Sequence, residues 1–476
     1  MADRRPNILM MVADTQRAQN LHCYGYEKET SPTWDAIAAE GLLCEQNISP
    51  GIWSLPGYAS MFTGVHVATH RGDADHEYVA RGLPTLAETL GGAGYQTCGL
   101  MPNTWGSGPV GLDKGFEVYV DWGISRNDPP VRGWDMPKDE IGGDAGRIET
   151  LGRWLDDRDE SRPFFLFTIF GDPHATYNPP LHFREQFLPD DVTDEELQVV
   201  LDEQDVIAMQ AGELTFDERQ WEILFALNDA CVRSADEKFR QCIEHLKTRG
   251  LFDDTVIILT SDHGDVMGDR PPWWGHLGEI CDSLIHVPLV MRYPEAVQPG
   301  TRVSGITQTL DVFTTCCEIA GAEVPSPARE QSRSLIAAAQ GEGLREFALS
   351  EAYKPVQLME RILRRYPSFD PRSLNHSFKT WRSTTEKYVW RSDGTDEYYR
   401  VDEDPWNRNN LIEENRGRAR ELQEMMLEYL LSIPRNEFGD LQSIFPGKSA
   451  KPEVAAKLQA LGLYRKVLDW PDWAPR

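Results

Sequence analysis

No stretch of this 476-residue chain approaches the roughly 18–20 consecutive apolar residues that a membrane-spanning helix needs. It also lacks low-complexity tracts, and with 40% hydrophobic and 26% charged residues its composition is that of a globular protein. Cysteine is sparse: eight are scattered, two of them adjacent at Cys316-Cys317, with no Cys-x-x-Cys pair. A disulfide framework is therefore not expected, and reduced, buried thiols of a cytoplasmic protein are. The opening Met1-Ala2-Asp3-Arg4-Arg5-Pro6 leads directly into an apolar stretch, Asn7 to Val12, too short for a secretory signal core. That agrees with a cytoplasmic location and makes the sequons Asn47-Ile48-Ser49 and Asn375-His376-Ser377 accidental. Positive charge is short too: 48 Lys and Arg against 76 Asp and Glu leave a net charge of −28. Such a field repels nucleic acid and anionic membranes. An anionic substrate would need a local cationic centre, such as a metal ion, to enter against it.

What the chain does have is a set of unbroken apolar runs ending on polar groups. Val256-Ile257-Ile258-Leu259-Thr260 leads into Ser261-Asp262-His263-Gly264-Asp265. Without a polar interruption the run reads as a strand buried on both faces, as in a parallel sheet. The carboxylate and imidazole then arrive at the strand's carboxyl end, where open α/β sheets bind ligands. Asn7 to Ala13 repeats the pattern and ends on Asp14, and Pro163 to Phe170 carries Asp172 and His174 to the same edge. Neighbouring groups that are costly to bury suggest a shared divalent cation, while a helix-capping Asp beside a satisfied His is the plainer alternative. Ser54 precedes a short helical segment, where it could be an N-cap or a nucleophile at the positive end of a helix dipole.

Taken in order, these motifs resemble the sulfatase family of the alkaline phosphatase superfamily. The resemblance rests on Asp14-Thr15-Gln16-Arg17 with Cys23-Tyr24-Gly25-Tyr26, then Ser54-Leu55-Pro56 with Ala59-Ser60 and Thr63-Gly64, then Ser261-Asp262-His263-Gly264. Gly94-Tyr95-Gln96-Thr97, Leu112 to Phe116, Asp172-Pro173-His174 with Tyr177, Trp274-Gly275-His276 and Val287-Pro288-Leu289 follow the same order. Lys387-Tyr388, Asp402 to Pro405 and Asn410-Leu411 match the family's C-terminal region, so the likeness runs from about residue 5 to 430. It implies an α/β fold with a large mixed, mostly parallel sheet flanked by helices, and a smaller C-terminal α+β subdomain.

The resemblance further implies one divalent metal held by Asp14, Asp262, His263 and the oxygen of Ser54. One imidazole with two carboxylates suits Mn²⁺, Ca²⁺ or Mg²⁺ above Zn²⁺. Ser54 takes the nucleophile position, as itself or as formylglycine derived from it. His174 and His276 match positions that contact the anionic group or the leaving oxygen, and Arg17 is a candidate to orient this cluster.

The chain also departs from the pattern. Tyr58 stands where the formylglycine signature has Arg, and Met101-Pro102-Asn103-Thr104 replaces the segment with the family's Lys and His. Thr15 replaces a metal carboxylate, and Gln19 replaces an acid. Tyr58, Asn103 and Trp273 are therefore candidates for the substrate pocket. A pocket with fewer cations favours a singly charged ester. The first reading is a metal-dependent sulfate monoester hydrolase. The second is a phosphodiester or phosphonate monoester hydrolase, or a phosphotransferase, using unmodified Ser54. The third is a metal- and anion-binding pseudoenzyme. Small anionic esters are the expected partners, and a homo-oligomer is compatible with the sequence.

Other features complete the expectations. His66, His70, Asp73, Asp75 and His76 look ligand-rich but are read as a surface segment. Residues 181–225 are acidic and predict an exposed helical insert able to lid the pocket; Ala230 to Arg249 predicts an amphipathic helix. The domain plan is 1–370 catalytic, 371–440 a small antiparallel sheet plus helix, and 441–476 a tail.

Overall fold

The structure, a computed structural model, describes residues 5–434 except 75, 81, 127–128, 137–142 and 271–272, together with the backbone of 442–443 and 466–467. The expected roles of Asp75, of Pro271-Pro272 and of most of the tail lie outside the described residues.

The centre is a nine-stranded sheet. Its strands are β1 (Asn7–Ala13), β2 (Leu42–Ile48), β3 (Gln96–Met101), β4 (Val118–Asp121), β5 (Val131–Arg132), β6 (Phe164–Phe170), β7 (Thr255–Thr260), β8 (Leu289–Arg292) and β9 (Thr301–Gln308). They lie in the order β9-β2-β8-β7-β1-β6-β3-β4-β5. β7, β1, β6, β3 and β4 run parallel, as do β9 and β2, whereas β8 and β5 are antiparallel to their neighbours. The mixed, mostly parallel sheet is the one expected.

The unbroken apolar runs follow from burial on both faces. Ile8, Met10 and Val12 of β1 face one core together with Val256, Ile258, Phe165 and Phe167. Leu9, Met11 and Ala13 face a second core with Ile257, Leu259, Leu166 and Phe170, because strand side chains alternate. The first core is closed by the helices Ser54–Thr63, Leu86–Gly92 and Asp311–Ala320. The second is closed by Pro32–Glu40, Gly143–Asp157 and Glu218–Thr248, which insert Trp34, Trp154 and Phe239. Each fully buried Leu, Ile or Phe contributes about 1.5–3 kcal/mol, so replacing Phe239 by Ala should cost about 3–5 kcal/mol.

Three expectations change. The long helix starts at Glu218 rather than Ala230, because Asp217 and Gln220 form a capping box that a polar first turn conceals. The acidic insert is not only an exposed cover. Its helices Asp194–Glu203 and Val206–Gln210 are tied to the body by their own apolar cluster, in which Val200 and Met209 meet Leu224, Leu227 and Trp274, and the short helix Leu181–Arg184 places Phe183 under Arg233. The His66 region is buried, not a surface segment: His66, His70, Asp73 and His76 are each at most 2% exposed. His66 is ringed by Gln308, Gln331 and Tyr429, His70 meets Ser60, and Asp73 accepts from Trp53. Satisfied hydrogen bonds let His66, His70 and Asp73 sit inside.

A second sheet, Ala348–Ala352, Phe378–Arg382, Lys387–Arg391 and Glu397–Tyr399, is wholly antiparallel and is covered by the helix Arg416–Ser432. Its first strand precedes residue 371. All eight cysteines are free and seven are buried. Among the described residues no helix is long and apolar enough to cross a membrane.

Candidate active site

The site forms where β1, β7, β6 and β3 end side by side. Ser261 Oγ donates to Ala13 O at 2.7 Å and accepts from Gln16 N at 2.9 Å, which joins the ends of β7 and β1. The chain then turns at Thr15 with φ 63°, a left-handed conformation rare for a β-branched residue and costing about 1–2 kcal/mol. The Thr15 N–H donates to Asp262 Oδ1 at 3.3 Å. Asp14 and Asp262, nearly 250 positions apart, thus become neighbours, and strain of this kind collects at functional sites.

Asp14, Asp262 and His263 bring one ligand atom each to within 4.8 Å of one another. His263 Nε2 lies 3.4 Å from Asp262 Oδ2 and 3.7 Å from Asp14 Oδ1. Both carboxylate oxygens are buried without a hydrogen-bond partner. Burial, together with the Asp262 charge beside it, pushes the Asp14 carboxyl well above the usual carboxylate range. Burial raises Asp262 as well. It also lowers His263, with His276 and His174 adding to the effect. His263 Nδ1 lies 2.8 Å from Gly264 O, and a carbonyl can only accept, so the proton sits on Nδ1 and the Nε2 lone pair faces the two carboxylates. Two orphaned anionic oxygens and an oriented imidazole lone pair fit a divalent cation.

Ser54 begins the helix Ser54–Thr63, at its positive end. The helix reaches the sheet edge because residue 57 is glycine: a Cβ there would lie 2.7 Å from Asp262 O. Ser54 Oγ lies 3.5 Å from His263 Nε2. Asn103, at the end of β3, donates from Nδ2 to Asp14 Oδ2 at 2.8 Å and reaches Ser54 Oγ and Tyr58 OH at 3.3 Å. An amide therefore occupies the space beside Ser54. The Tyr58 hydroxyl is fully buried beneath, held protonated by burial and by the Asp14 and Asp262 charges.

Two further imidazoles complete the cluster. The His276 ring lies 4.6 Å from that of His263 and 5.2 Å from that of His174. His174 Nδ1 is tied to Ala175 O at 2.6 Å and His276 Nδ1 to Asp265 Oδ1 at 3.2 Å. Each thereby keeps Nε2 for other partners. Asp265 is in turn held by Tyr177 OH at 3.0 Å, and Gln204 clamps the Tyr177 backbone from the insert.

These groups line a cavity of about 920 Å³ shared by Asp14, Ser54, Asn103, His174 and His276. Not every candidate reaches it. Arg17 is held by Asp269 and Asn20, each at 2.7 Å, under the Trp406 ring. Trp273 packs half-buried against the cluster around Met359, away from the cavity lining. Asp172 does line the cavity, but Lys238 meets it at 2.6 Å.

Several contributors were not singled out from the sequence: Asp265, the Trp53–Trp105 pair with rings 5.0 Å apart, and the arginines Arg126, Arg147 and Arg361. Asp265 closes the strand-end motif and could have been noticed there. The others come from segments with no signal of their own.

Comparison with known proteins agrees with this geometry. The sulfatase family model matches residues 6–322, and the model of the N-sulphoglucosamine sulphohydrolase C-terminal region matches residues 279–435. An N-acetylglucosamine-6-O-sulfatase of Bacteroides thetaiotaomicron is 24% identical over 399 residues, covering 68% of this chain and 69% of that protein. A choline-sulfatase of Rhizobium meliloti is 25% identical, covering 88% and 84%. The crystal structure of a phosphonate monoester hydrolase of Agrobacterium radiobacter superposes with a TM-score of 0.69 at 22% identity, over 90% of this chain and 96% of that one. With its metal-type acid–imidazole cluster at the sheet edge and the family match across two thirds of its length, this chain belongs to the sulfatase family of the alkaline phosphatase superfamily, a family of ester hydrolases.

Proposed function

We propose that the protein is a metal-dependent hydrolase of sulfate monoesters, with Ser54 or formylglycine derived from it as the nucleophile. One observation carries the reading: Ser54 Oγ lies beside His263, within the same buried cluster as the orphaned oxygens of Asp14 and Asp262. A divalent cation held by Asp14, Asp262, His263 and Ser54 would supply positive charge to the ester's oxygens and acidify the hydroxyl. The remaining work belongs to side chains. Asn103 orients the Ser54 oxygen, and the helix N-terminus favours its anionic form. In the unmodified case Ser54 Oγ attacks sulfur, the S–O bond to the alcohol breaks, and His276 or His174 gives that oxygen a proton from Nε2. Water then attacks the serine sulfate, a histidine takes its proton, and sulfate leaves with Ser54 restored.

A second reading, a phosphonate monoester or phosphodiester hydrolase using unmodified Ser54, is favoured by Tyr58 and Asn103. Together they surround the nucleophile position with neutral groups where the family pattern has cations. Two measurements separate the readings. The mass of the peptide containing Ser54 falls by two hydrogens if formylglycine forms. Turnover of 4-nitrophenyl sulfate against 4-nitrophenyl phenylphosphonate, which share a leaving group, with and without Mn²⁺, Ca²⁺ or Mg²⁺, ranks the esters. Ser54→Ala should abolish turnover while leaving the fold intact. Full activity in that variant, or in the presence of chelator, would overturn the mechanism. No turnover of any ester under any metal would favour the pseudoenzyme.

A further inference from the structure

The cavity is far larger than a sulfate group, and its outer part carries positive charge in a chain whose net charge is −28. Arg147 lines it from the helix Gly143–Asp157 and is 9% exposed, yet its Nε has no hydrogen-bond partner. Burial, opposed by the Asp172 charge and helped by nearby Arg126, lowers the Arg147 guanidinium to about 10, so two like charges share this wall. The same wall holds Asp144 and Asp172, with Lys238 bonded to both. Arg147 and Lys238 thus balance the two carboxylates, and Arg126 beside them leaves a positive charge. Arg126 is exposed, lines the cavity and makes no ion pair among the described residues. Arg361, on the helix Val356–Arg365, is likewise exposed, unpaired among the described residues and cavity-lining, with Gln357 and Leu358 beside it. Elsewhere this acid-rich surface pairs its arginines, as in Arg219 with Asp191, Glu196 and Glu222. Unpaired guanidiniums around the reacting centre are suited to bidentate capture of a planar or tetrahedral oxyanion.

We propose that the substrate carries a second anionic group, a carboxylate or another sulfate, remote from the scissile ester and held by Arg126 and Arg361 with Arg147 behind them. The inference names the substrate class for the hydrolysis proposed above and rests on that reading. Trp105 and Leu358, which also line the cavity, offer apolar surface to the body joining the two anions.

The test compares kcat/KM for 4-sulfooxybenzoate and 4′-sulfooxybiphenyl-4-carboxylate with that for phenyl sulfate and 4-biphenylyl sulfate. The carboxylate is thereby placed at two distances. The proteins are wild type, Arg126→Gln, Arg361→Gln and the double variant, supplied with Mn²⁺; both side chains are exposed, so folding is not at stake. Wild type should prefer one carboxylated ester over its uncharged counterpart. Each substitution should reduce that ratio by about tenfold, the worth of one charge-assisted hydrogen bond, and added salt should erode it. A wild-type ratio near one, or a ratio untouched by the substitutions, overturns the proposal. Calorimetry with 4′-sulfobiphenyl-4-carboxylate and biphenyl-4-sulfonate keeps the two inferences separate. Arginine-dependent preference for the dianion without turnover of any ester leaves the subsite standing and removes the hydrolysis. Turnover with no arginine dependence does the reverse.

Discussion

Replacing Asp14 by Asn should stabilise the metal-free protein and destabilise the metal-loaded one. Asp14 Oδ1 and Asp262 Oδ2 are buried, close and unpartnered, and each such oxygen costs about 1–3 kcal/mol. An amide at position 14 can keep its oxygen on Asn103 and turn its NH₂ towards Asp262, which relieves the repulsion. In EDTA, Asp14→Asn should therefore be more stable than wild type by about 1–3 kcal/mol. A metal at a thousandfold excess over its dissociation constant adds about 4.1 kcal/mol to the protein that binds it. That exceeds the relief, so with metal the order of the two proteins reverses. The pH dependence carries its own sign. Asp14 and Asp262 have raised folded-state values, so without metal the folded protein binds more protons than the unfolded one above about pH 4. Their contribution is complete at acid pH and is lost as pH rises through the folded values; the loss should be larger in wild type than in Asp14→Asn. Urea unfolding of both proteins at pH 5 and 8, with EDTA and with Mn²⁺, measures all of this. If Asp14→Asn is the less stable protein in EDTA at pH 8, or if metal stabilises both equally, the two carboxylates are not a cation site.

Three other outcomes are expected. Asp265→Asn removes the carboxylate that holds His276 Nδ1, so kcat should fall by up to about 10²–10⁴-fold, the full worth of a general acid; esters with poor leaving groups should suffer most, which a leaving-group series at constant metal reads directly. Gly57→Ala puts a Cβ 2.7 Å from Asp262 O and 3.0 Å from Asp262 Cβ, so the helix must shift and carry Ser54 with it; overpacking of about 1–3 kcal/mol in urea unfolding should accompany a disproportionate loss of turnover. Asp282→Asn leaves Arg382 and Lys387, now at 2.8 and 2.9 Å from Asp282, buried without their counter-ion, at a cost of about 3–5 kcal/mol. Although burial opposes it, these two cations hold the Asp282 carboxyl well below the usual range, so that stability should be constant near neutrality and fall only as pH drops below the ordinary carboxylate values.

The sequence by itself determined the elements whose chemistry is local. Apolar runs at 7–13, 164–170 and 255–260, rich in β-branched and aromatic residues, read as strands covered on both sides, and in a parallel sheet the polar residues that end them emerge together at one edge. The placing of Asp14, Asp262 and His263 at one edge was legible for that reason, whereas Ser54 stood out only through the resemblance to the sulfatase family, since its helix start alone reads equally as a cap. Where a signal depends on partners far along the chain, only the tertiary structure decided. His66 and Asp73 look like surface groups until Gln308, Gln331 and Trp53 arrive to satisfy them. The first turns of Glu218–Thr248 read as part of an exposed acidic insert until the apolar cluster with Val200 and Met209 joins them to the body. Arg17 resembles a cluster residue in the motif, yet Asp269, brought in from 252 positions away, holds it elsewhere. The arginines of the cavity wall come from unrelated segments, and no pattern in one dimension records that Arg126, Arg147 and Arg361 face a common space. Burial on both faces of a strand is written in neighbouring residues, whereas the pairing of one charge with another is written in the packing of the whole chain.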